Sequence, residues 1–234
     1  MEKIEQLRQY IDQAERIVFF TGAGISTESG IPDFRSAQGI YTNNKRAEEM
    51  ISHSFFLSNT EEFYDFYRRT MIFPDAEPNA AHKKIAELEE TKKVSVVTQN
   101  IDGLHQKAGS TDVIEVHGSI LRNTCMRCGR QYGLSAITGA KGIPRCSCGG
   151  IIKPDVVLYE EALNEEDIEM AVDSIRNADL LIVCGTSLAV WPAAGFLRYF
   201  RGQHLVIINR DPTPKDAVAD LVIHDSLAKV LGSL

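Results

Sequence analysis

The stretch IVFFTGAGIS (residues 17–26) decides the fold, because a short, fully apolar run ends abruptly at a glycine-containing turn. Such a run is typical of a strand that is buried on both faces of a parallel sheet. The glycines that follow allow the backbone to turn tightly and to approach a phosphate closely. Thr27 stands where a dinucleotide-binding fingerprint has its third glycine, so the motif is incomplete. Taken alone, it fits either nucleotide binding or a plain strand-to-helix turn.

Further apolar runs rich in Val and Ile recur along the chain and alternate with helical patterns. The runs lie at 94–97, 180–183 and 205–208, with 221–223 as a candidate fifth strand. The helical patterns are clearest at 80–90 and 165–177. This alternation predicts an α/β fold with a doubly wound parallel sheet.

Polar or glycine-rich turns follow four of the predicted strands. They lie at 21–24, 98–100, 185–187 and 209–211. Because ligands of open α/β sheets bind beyond the carboxyl ends of the strands, we expect the four turns to converge on one crevice. On the strand pattern alone, a hydride-transferring dehydrogenase is also compatible with this arrangement.

The composition narrows the classes of protein and partner. The 234 residues are 44% hydrophobic and carry a formal net charge of −7, which is typical of a globular chain that neither spans a membrane nor binds a nucleic-acid backbone directly. An acidic surface suits cationic partners such as Lys-rich protein segments. Residues 1–15 interleave charged and apolar residues at helical spacing, unlike an export signal. We therefore expect a cytoplasmic protein.

Four of the five cysteines form two close pairs, Cys125 with Cys128 and Cys146 with Cys148. Two pairs of thiolates can close a tetrahedral shell around zinc. Disulfides and unligated thiols are the alternatives, and a cytoplasmic location disfavours disulfides. Four protein ligands leave no open coordination position, so we predict one structural zinc. Cys184 lies in an apolar run and is expected to be a buried thiol.

Histidines are candidates for a catalytic base, although a single histidine is more often structural. His117 lies in the segment VHG, and His105 ends the segment TQNIDGLH. Position in the sequence does not separate these two from the remaining histidines. Those are His53, His82, His204 and His224.

Six segments in order resemble the sirtuin family of the bacterial type, and the resemblance spans nearly the whole chain. They are GAGIS (22–26), GIPDFR (30–35), QNID (99–102), HG (117–118), the four paired cysteines and GTS (185–187). The resemblance implies a Rossmann-like fold and an enzyme that consumes NAD while removing acyl groups from protein lysines.

The resemblance also implies how the chain is divided. A Rossmann-like NAD-binding core would comprise residues 1–35, 79–118 and 151–234. A helical insertion with a cofactor loop would occupy 36–78, and a small inserted zinc-binding module would occupy 119–150. The low apolar content of the module indicates that it needs its metal to fold.

Individual roles follow from the resemblance as expectations. Ala23 and its neighbours would contact the pyrophosphate, Phe34 and Arg35 would cover the nicotinamide ribose, and Asn209 would hold the adenosine end. The complete set of expected NAD contacts is Gly22, Ala23, Gly24, Ser26, Asp33, Phe34, Arg35, Gln99, Asn100, Asp102, Gly185, Thr186, Ser187 and Asn209.

The family chemistry assigns catalysis to His117, Asn100 and Asp102. His117 would take a proton from the ribose hydroxyls, while Asn100 and Asp102 would orient the nicotinamide amide and a water. The products would be free lysine, nicotinamide and O-acyl-ADP-ribose. Three alternatives stay open: a mono-ADP-ribosyltransferase, a deacylase for long-chain or lipoyl groups, and an NAD-sensing module with little turnover.

The acylated protein substrate would pair with residues 154–161, where Val156, Val157 and Tyr159 are the expected contacts. Glu160 replaces the glycine that the family has here, which raises the possibility of a narrowed groove. Family members that remove succinyl groups carry a Tyr and, three residues on, an Arg. Tyr64 fits the first position, but Arg68 lies one residue too far along and is expected to point away from a pocket lined by Tyr64. The alternative is that Tyr64, Phe63 and Phe66 are aromatic residues of the core. We therefore expect an uncharged acyl group such as acetyl.

Overall fold

The computed structural model describes residues 2–37, 39–188 and 191–234. The strands in these ranges are β1 (Arg16–Thr21), β2 (Lys93–Thr98), β3 (Val113–Glu115), β4 (Gly118–Cys125), β5 (Gln131–Tyr132), β6 (Ile152–Val156), β7 (Leu180–Cys184), β8 (His204–Ile208) and β9 (Leu221–Ile223). Six of them form one parallel sheet in the order β3-β2-β1-β7-β8-β9. The predicted Rossmann-like, doubly wound sheet is confirmed.

Helices cover both faces of this sheet. The α-helices in the described ranges are α1 (Glu2–Gln13), α2 (Ile40–Asn43), α3 (Ala47–Met50), α4 (His53–Ser58), α5 (Thr60–Thr70), α6 (Ala80–Leu88), α7 (Leu104–Ala108), α8 (Ser135–Thr138), α9 (Glu165–Asn177) and α10 (Leu227–Gly232). Three 3₁₀ helices span Ala23–Ser29, Ala193–Tyr199 and Asp216–Val218. Among the described residues, no helix has the length and apolar character that crossing a bilayer requires.

Burial on both faces explains why the strands are apolar throughout. Phe19 packs into the cluster formed with α1, α6 and α10, whereas its neighbour Phe20 packs into the cluster on the opposite face with α9. Successive side chains of a strand point to opposite faces, so each face needs its own apolar residues. The predicted strands at 17–20 and 180–183 show this pattern throughout, and the one at 94–97 shows it except at the half-buried Ser95.

A second sheet lies apart from the parallel one. It is antiparallel, has the order β5-β4-β6 and packs against the aromatic side chains of α4 and α5. The buried aromatic residues of this cluster are Phe55, Phe56, Phe63, Tyr64, Phe66 and Tyr67. The division of the chain at residues 36–78 and 119–150 stays a prediction.

The strand order places a switch point between β1 and β7. From there, β2 and β3 extend the sheet in one direction, and β8 and β9 extend it in the other. In open α/β sheets the crevice for a ligand lies outside the carboxyl ends of the strands at such a point. The loops after Thr21 and Cys184 therefore flank the expected site.

Candidate active site

The loops after β1 and β7 touch each other backbone to backbone. The amide of Gly24 donates to the carbonyl of Gly185 at 2.8 Å. A Cβ on Gly24 would lie 2.7 Å from the Cα of Gly185, and one on Gly22 would lie 2.7 Å from the Cβ of Thr186. Gly185 itself has a φ of 61°, in the left-handed region. Glycine is therefore required at these positions for the two loops to approach.

All of the predicted contacts for NAD and for the acylated substrate line one cleft with a volume of about 530 Å³. The structure thus brings together residues from six separate segments of the chain. The members are Gly22, Ala23, Gly24, Ser26, Asp33, Phe34, Arg35, Gln99, Asn100, Asp102, His117, Val156, Val157, Tyr159, Gly185, Thr186, Ser187 and Asn209. The expected convergence of the four turns on one crevice is confirmed.

Asn100, Ser26 and Asp102 form a connected polar group in the cleft. The Asn100 side-chain amide donates to Ser26 Oγ at 3.1 Å and to the carbonyl of Gly22 at 3.2 Å. Ser26 Oγ in turn donates to Asp102 Oδ2 at 2.7 Å. Burial raises the pKa of Asp102, and hydrogen bonds from the Leu104 amide and Ser26 oppose that shift. The network fixes the orientation of both the amide and the carboxyl group.

His117 is held in one tautomer by the backbone. Its Nδ1 lies 2.9 Å from the carbonyl oxygen of Gln99. A carbonyl oxygen can only accept, so Nδ1 carries the proton and Nε2 has a free lone pair in the neutral ring. Burial lowers the pKa of His117, although the hydrogen bond to Gln99 acts in the opposite direction. In its neutral form, His117 can therefore accept a proton at Nε2 on the wall of the cleft.

The other five histidines, all within the described residues, lie outside the cleft lining. His105 and His82 are buried in the protein interior. His53 pairs with Glu161, His204 stacks on Tyr10, and His224 pairs with Asp216. Geometry therefore singles out His117, which sequence position alone does not.

The segment that carries Phe34 and Arg35 contacts the expected substrate strand. The hydroxyl of Tyr41 lies 2.7 Å from that of Tyr159, and Arg35 donates to the same Tyr159 hydroxyl at 3.4 Å. The Arg35 guanidinium also lies 5.2 Å from the centre of the Tyr41 ring. The Asp33 carboxylate accepts hydrogen bonds from the backbone amides of Arg35 and Ser36. The segment expected to contact the cofactor and the segment expected to contact the substrate are thus linked through Tyr159.

Residues 156–159 meet His117 through the backbone. The amide of Val157 donates to the carbonyl of His117 at 3.0 Å, and the amide of Tyr159 donates to that of Ile51 at 3.1 Å. Leu158 donates its amide to Glu161. The amides of residues 157 to 159 are therefore engaged within the protein, and so are the carbonyls of Leu158 and Tyr159, which accept from the amides of Glu161 and His53.

Glu160 lines the cleft, and its carboxylate is hydrogen-bonded to Ser54. Its carboxylate accepts hydrogen bonds from the backbone amide of Ser54 at 2.8 Å and from the Ser54 hydroxyl at 3.0 Å. The residue keeps a positive φ of 75°, the backbone conformation that favours glycine. The backbone shape expected of a glycine is thus retained, and the side chain caps the first turn of α4. The Glu160 side chain is thus tied to Ser54 rather than free in the groove, and its effect on the width of the groove stays a prediction.

The expected acyl-pocket residues are placed differently from the prediction. Tyr64 does not line the cleft: it is fully buried and donates its hydroxyl to the carbonyl of Ile152 at 2.6 Å, so that part of the prediction is wrong. The next helical turn brings Tyr67 to the cleft wall instead. Arg68 points away, as predicted, and donates to the carbonyls of Ile137 and Gly142.

The four paired cysteines converge. Their Sγ atoms all lie within 4.8 Å of one another. Cys125 and Cys148 have sulfurs 3.5 Å apart, and Cys128 and Cys146 have sulfurs 3.6 Å apart. Zn–S bonds of about 2.3 Å in a tetrahedron place sulfurs about 3.8 Å apart, so the donor set fits a structural zinc. Cys184 is fully buried in the sheet and lies outside this cluster.

Several cleft residues have no signal in the sequence. Tyr41, Thr70, Met71, Phe73 and Trp191 line it, but their positions follow from how distant segments pack together. Trp191 is 70% exposed, which is unusual for so large an apolar side chain. A Trp among strand-end loops is the one feature of this set that could have been noticed in advance.

Comparison with known proteins agrees with the site. The family model described as the Sir2 family matches residues 22–192. An NAD-dependent protein deacetylase of Cutibacterium acnes is 56% identical, with 98% of this chain and 96% of the relative covered. Another from Clostridium perfringens is 53% identical, with 100% and 98% covered.

Solved structures agree as well. A Sir2 complex with a p53 peptide and NAD⁺ is 38% identical with a TM-score of 0.88, covering 98% of this chain and 95% of that one. A Sir2 homologue bound to ADP ribose has a TM-score of 0.91 at 34% identity, covering 98% and 94%. The chain belongs to the Sir2 family.

Proposed function

We propose that this chain removes acetyl or other uncharged acyl groups from lysine side chains of proteins, with NAD consumed as co-substrate. Nicotinamide and O-acyl-ADP-ribose would be the products. The observation that carries the assignment is the fixed tautomer of His117, which presents Nε2 as a base in the cleft that also contains Asn100 and Asp102. The named activities of the relatives and the bound peptides of the solved structures support it.

The two touching glycine loops are suited to the phosphates of NAD. Gly22 and Gly24 let the loop after β1 lie directly against Gly185 and Thr186, and Ala23 between them carries only a methyl group, so the backbone of this loop can approach a bound pyrophosphate closely. Thr186 and Ser187 offer hydroxyls from the opposite loop, and Gln99 donates to Thr186 Oγ1 at 3.1 Å. We assign the pyrophosphate to this contact.

The ends of the dinucleotide then fall on different segments. Asn209 follows β8 at the far side of the switch point, where Arg210 and Asp225 also line the cleft, and we assign the adenosine to it. We assign the nicotinamide to Asn100 and Asp102. The amide of Asn100 is already oriented by Gly22 and Ser26, so it can hold a carboxamide without losing further rotational freedom.

NAD would supply both the ribose carbon from which nicotinamide leaves and the ribose hydroxyl oxygen that receives the acyl group. His117 accepts a proton at Nε2 from the ribose hydroxyls while Nδ1–H stays on the Gln99 carbonyl. The same carbonyl stabilises the imidazolium that forms. Val156, Val157 and Tyr159 hold the substrate peptide beside this ring, since the Val157 amide is bonded to the His117 carbonyl.

The zinc site has a supporting role. Its four thiolates fill every coordination position, so the metal holds the β5-β4-β6 sheet and its loops together and does not meet the substrate. We place the protein in the cytoplasm, which suits four free cysteines arranged for metal binding.

The decisive experiment is mass spectrometry of the products after incubation with NAD and a panel of acylated peptides. Deacylation should yield free lysine, nicotinamide and O-acyl-ADP-ribose in equal amounts. ADP-ribose attached to the peptide would instead identify a mono-ADP-ribosyltransferase. Nicotinamide release without peptide change would contradict the proposal.

A further inference from the structure

His105 is a buried histidine that the proposed chemistry does not use. It is 1% exposed, and its Nε2 lies 3.1 Å from the hydroxyl oxygen of Thr21. The Thr21 hydroxyl donates to Thr98 Oγ1 at 2.8 Å. Thr98 Oγ1 also accepts the backbone amide of Asn100 at 3.0 Å. A continuous line of hydrogen bonds therefore runs from His105 to the residue assigned to nicotinamide.

The direction of these hydrogen bonds is fixed. Thr21 has a single hydroxyl hydrogen, and it points to Thr98. Thr21 can therefore only accept from His105, so the neutral His105 ring carries its proton on Nε2 and has a bare Nδ1. Burial holds the pKa of His105 well below its usual range, which keeps the ring neutral.

His82 packs against His105 at the other end of this line of hydrogen bonds. The amide of Asn79 donates to His82 Nδ1 at 3.4 Å, so in the neutral ring Nε2 carries the proton. The two rings lie 4.9 Å apart, and neither His82 Nε2 nor His105 Nδ1 has a partner among the described residues. One is a donor and the other an acceptor, so the two unsatisfied atoms are complementary. Asn79 also donates to the carbonyl of Ile25 at 2.8 Å.

We infer that His105 is a positioning residue for the nicotinamide step, because it orients Thr21 and Thr98 and thereby fixes the backbone of Asn100. All four side chains are at most 8% exposed, so water does not compete for these bonds. The inference rests on the proposed role of Asn100. It predicts that loss of the His105 donor loosens nicotinamide contacts while the peptide site, built on β6, is unaffected.

The test compares His105→Leu, which removes the donor, with His105→Gln, whose amide can donate from a position close to Nε2. For each, nicotinamide exchange into NAD, the inhibition constant of nicotinamide and KM for an acetyl-lysine peptide are measured. His105→Leu should weaken nicotinamide about tenfold, the scale of one lost hydrogen bond, with peptide KM within about twofold. His105→Gln should restore nicotinamide binding to within about threefold of the parent.

Thr21→Val supplies a second variant that keeps the side-chain shape, in case His105→Leu does not fold. It should impair nicotinamide exchange as His105→Leu does, and the double variant should be no worse than the poorer single one. His204→Leu is the matched control, since that ring packs on Tyr10 outside the line.

Two results would overturn the inference. The first is loss of thermal stability in His105→Leu with unchanged nicotinamide constants, which would make His105 purely structural. The second is equal impairment in the Gln and Leu variants. Asn100→Ala separates failure of the proposed role of Asn100 from failure of the inferred role of His105. Unaltered nicotinamide constants in Asn100→Ala would refute the role of Asn100 itself, and the inference with it.

Discussion

The carboxylate of Glu160 accepts two hydrogen bonds from Ser54, one from the backbone amide at 2.8 Å and one from the hydroxyl at 3.0 Å. Ser54 lies in the first turn of α4, where backbone amides lack helical partners and a negative charge is stabilising. Glu160 therefore caps a helix while its backbone keeps a φ of 75°. Glu160 thus lines the cleft and at the same time supports a helix beside it.

Two substitutions separate the cap from the backbone conformation. Glu160→Ala loses the cap and keeps the positive φ, so it should reduce the free energy of unfolding by about 1 kcal/mol. Glu160→Gly also relieves the positive φ, a gain of about 1 kcal/mol, and should be close to neutral. Chemical denaturation measures both. KM for an acetyl-lysine peptide should stay within about twofold in each, and a large fall in KM for Glu160→Gly would show that the glutamate does obstruct the groove.

Acyl preference follows from the positions of Tyr67 and Arg68. Tyr67 lines the cleft without a charge, while Arg68 is bonded to the carbonyls of Ile137 and Gly142. Burying a carboxylate without a paired cation costs several kcal/mol, so kcat/KM for an acetyl peptide should exceed that for the matched succinyl peptide at least about tenfold.

Arg68→Gln is the control for this prediction. It removes the cation but leaves Tyr67 in place, so the ratio of acetyl to succinyl kcat/KM should not change. A ratio near one in the parent, or a marked rise on Arg68→Gln, would show that Arg68 reaches the acyl group.

Zinc should be required for the integrity of the small antiparallel sheet. Cys146→Ala removes one of four ligands, and structural zinc contributes about 10 to 16 kcal/mol of apparent binding energy in small modules. The variant should lose its metal and unfold at a lower temperature. Cys184→Ala, outside the cluster, should keep one equivalent of zinc. Metal analysis alongside thermal denaturation checks both, and stoichiometric zinc in Cys146→Ala would refute the ligand set.

The sequence allowed the main sheet and the metal cluster to be predicted for physical reasons. Strands buried on both faces have few polar positions, so an apolar run such as 180–183 stands out. Thiolate ligands have fixed geometry, so the spacing of Cys125 and Cys128 carries its own signal. β3 was missed because it is three residues long and ends in a glutamate, Glu115, which is buried by pairing with Arg122 at 2.7 Å.

The cleft wall was harder to predict. Tyr64 and Tyr67 are both fully buried aromatic residues of α5, and only the rotation of that helix decides which one meets the cleft. The role of Glu160 depends on Ser54, a residue distant in the chain, so no local pattern indicates it. The contact of Tyr41 with Tyr159 is long-range in the same way.

The pH dependence should report His117. The neutral ring is the active form, so protonation on lowering the pH removes the base. Because burial lowers the pKa of His117, the acid limb of kcat/KM should have its midpoint below the ordinary histidine value of about 6.5. A profile measured at fixed ionic strength tests this, and a midpoint well above that value would indicate a different titrating group.

The assignment of His117 as the base is tested most directly by single-turnover deacetylation in His117→Ala. The reaction should slow by about 10² to 10⁴, the usual contribution of a general base. Binding of NAD, followed by the fluorescence of Trp191, the chain's single tryptophan and a residue of the cleft, should change by less than about threefold. Deacetylation within a few-fold of the parent rate, with NAD bound normally, would contradict the account and show that another group takes the proton.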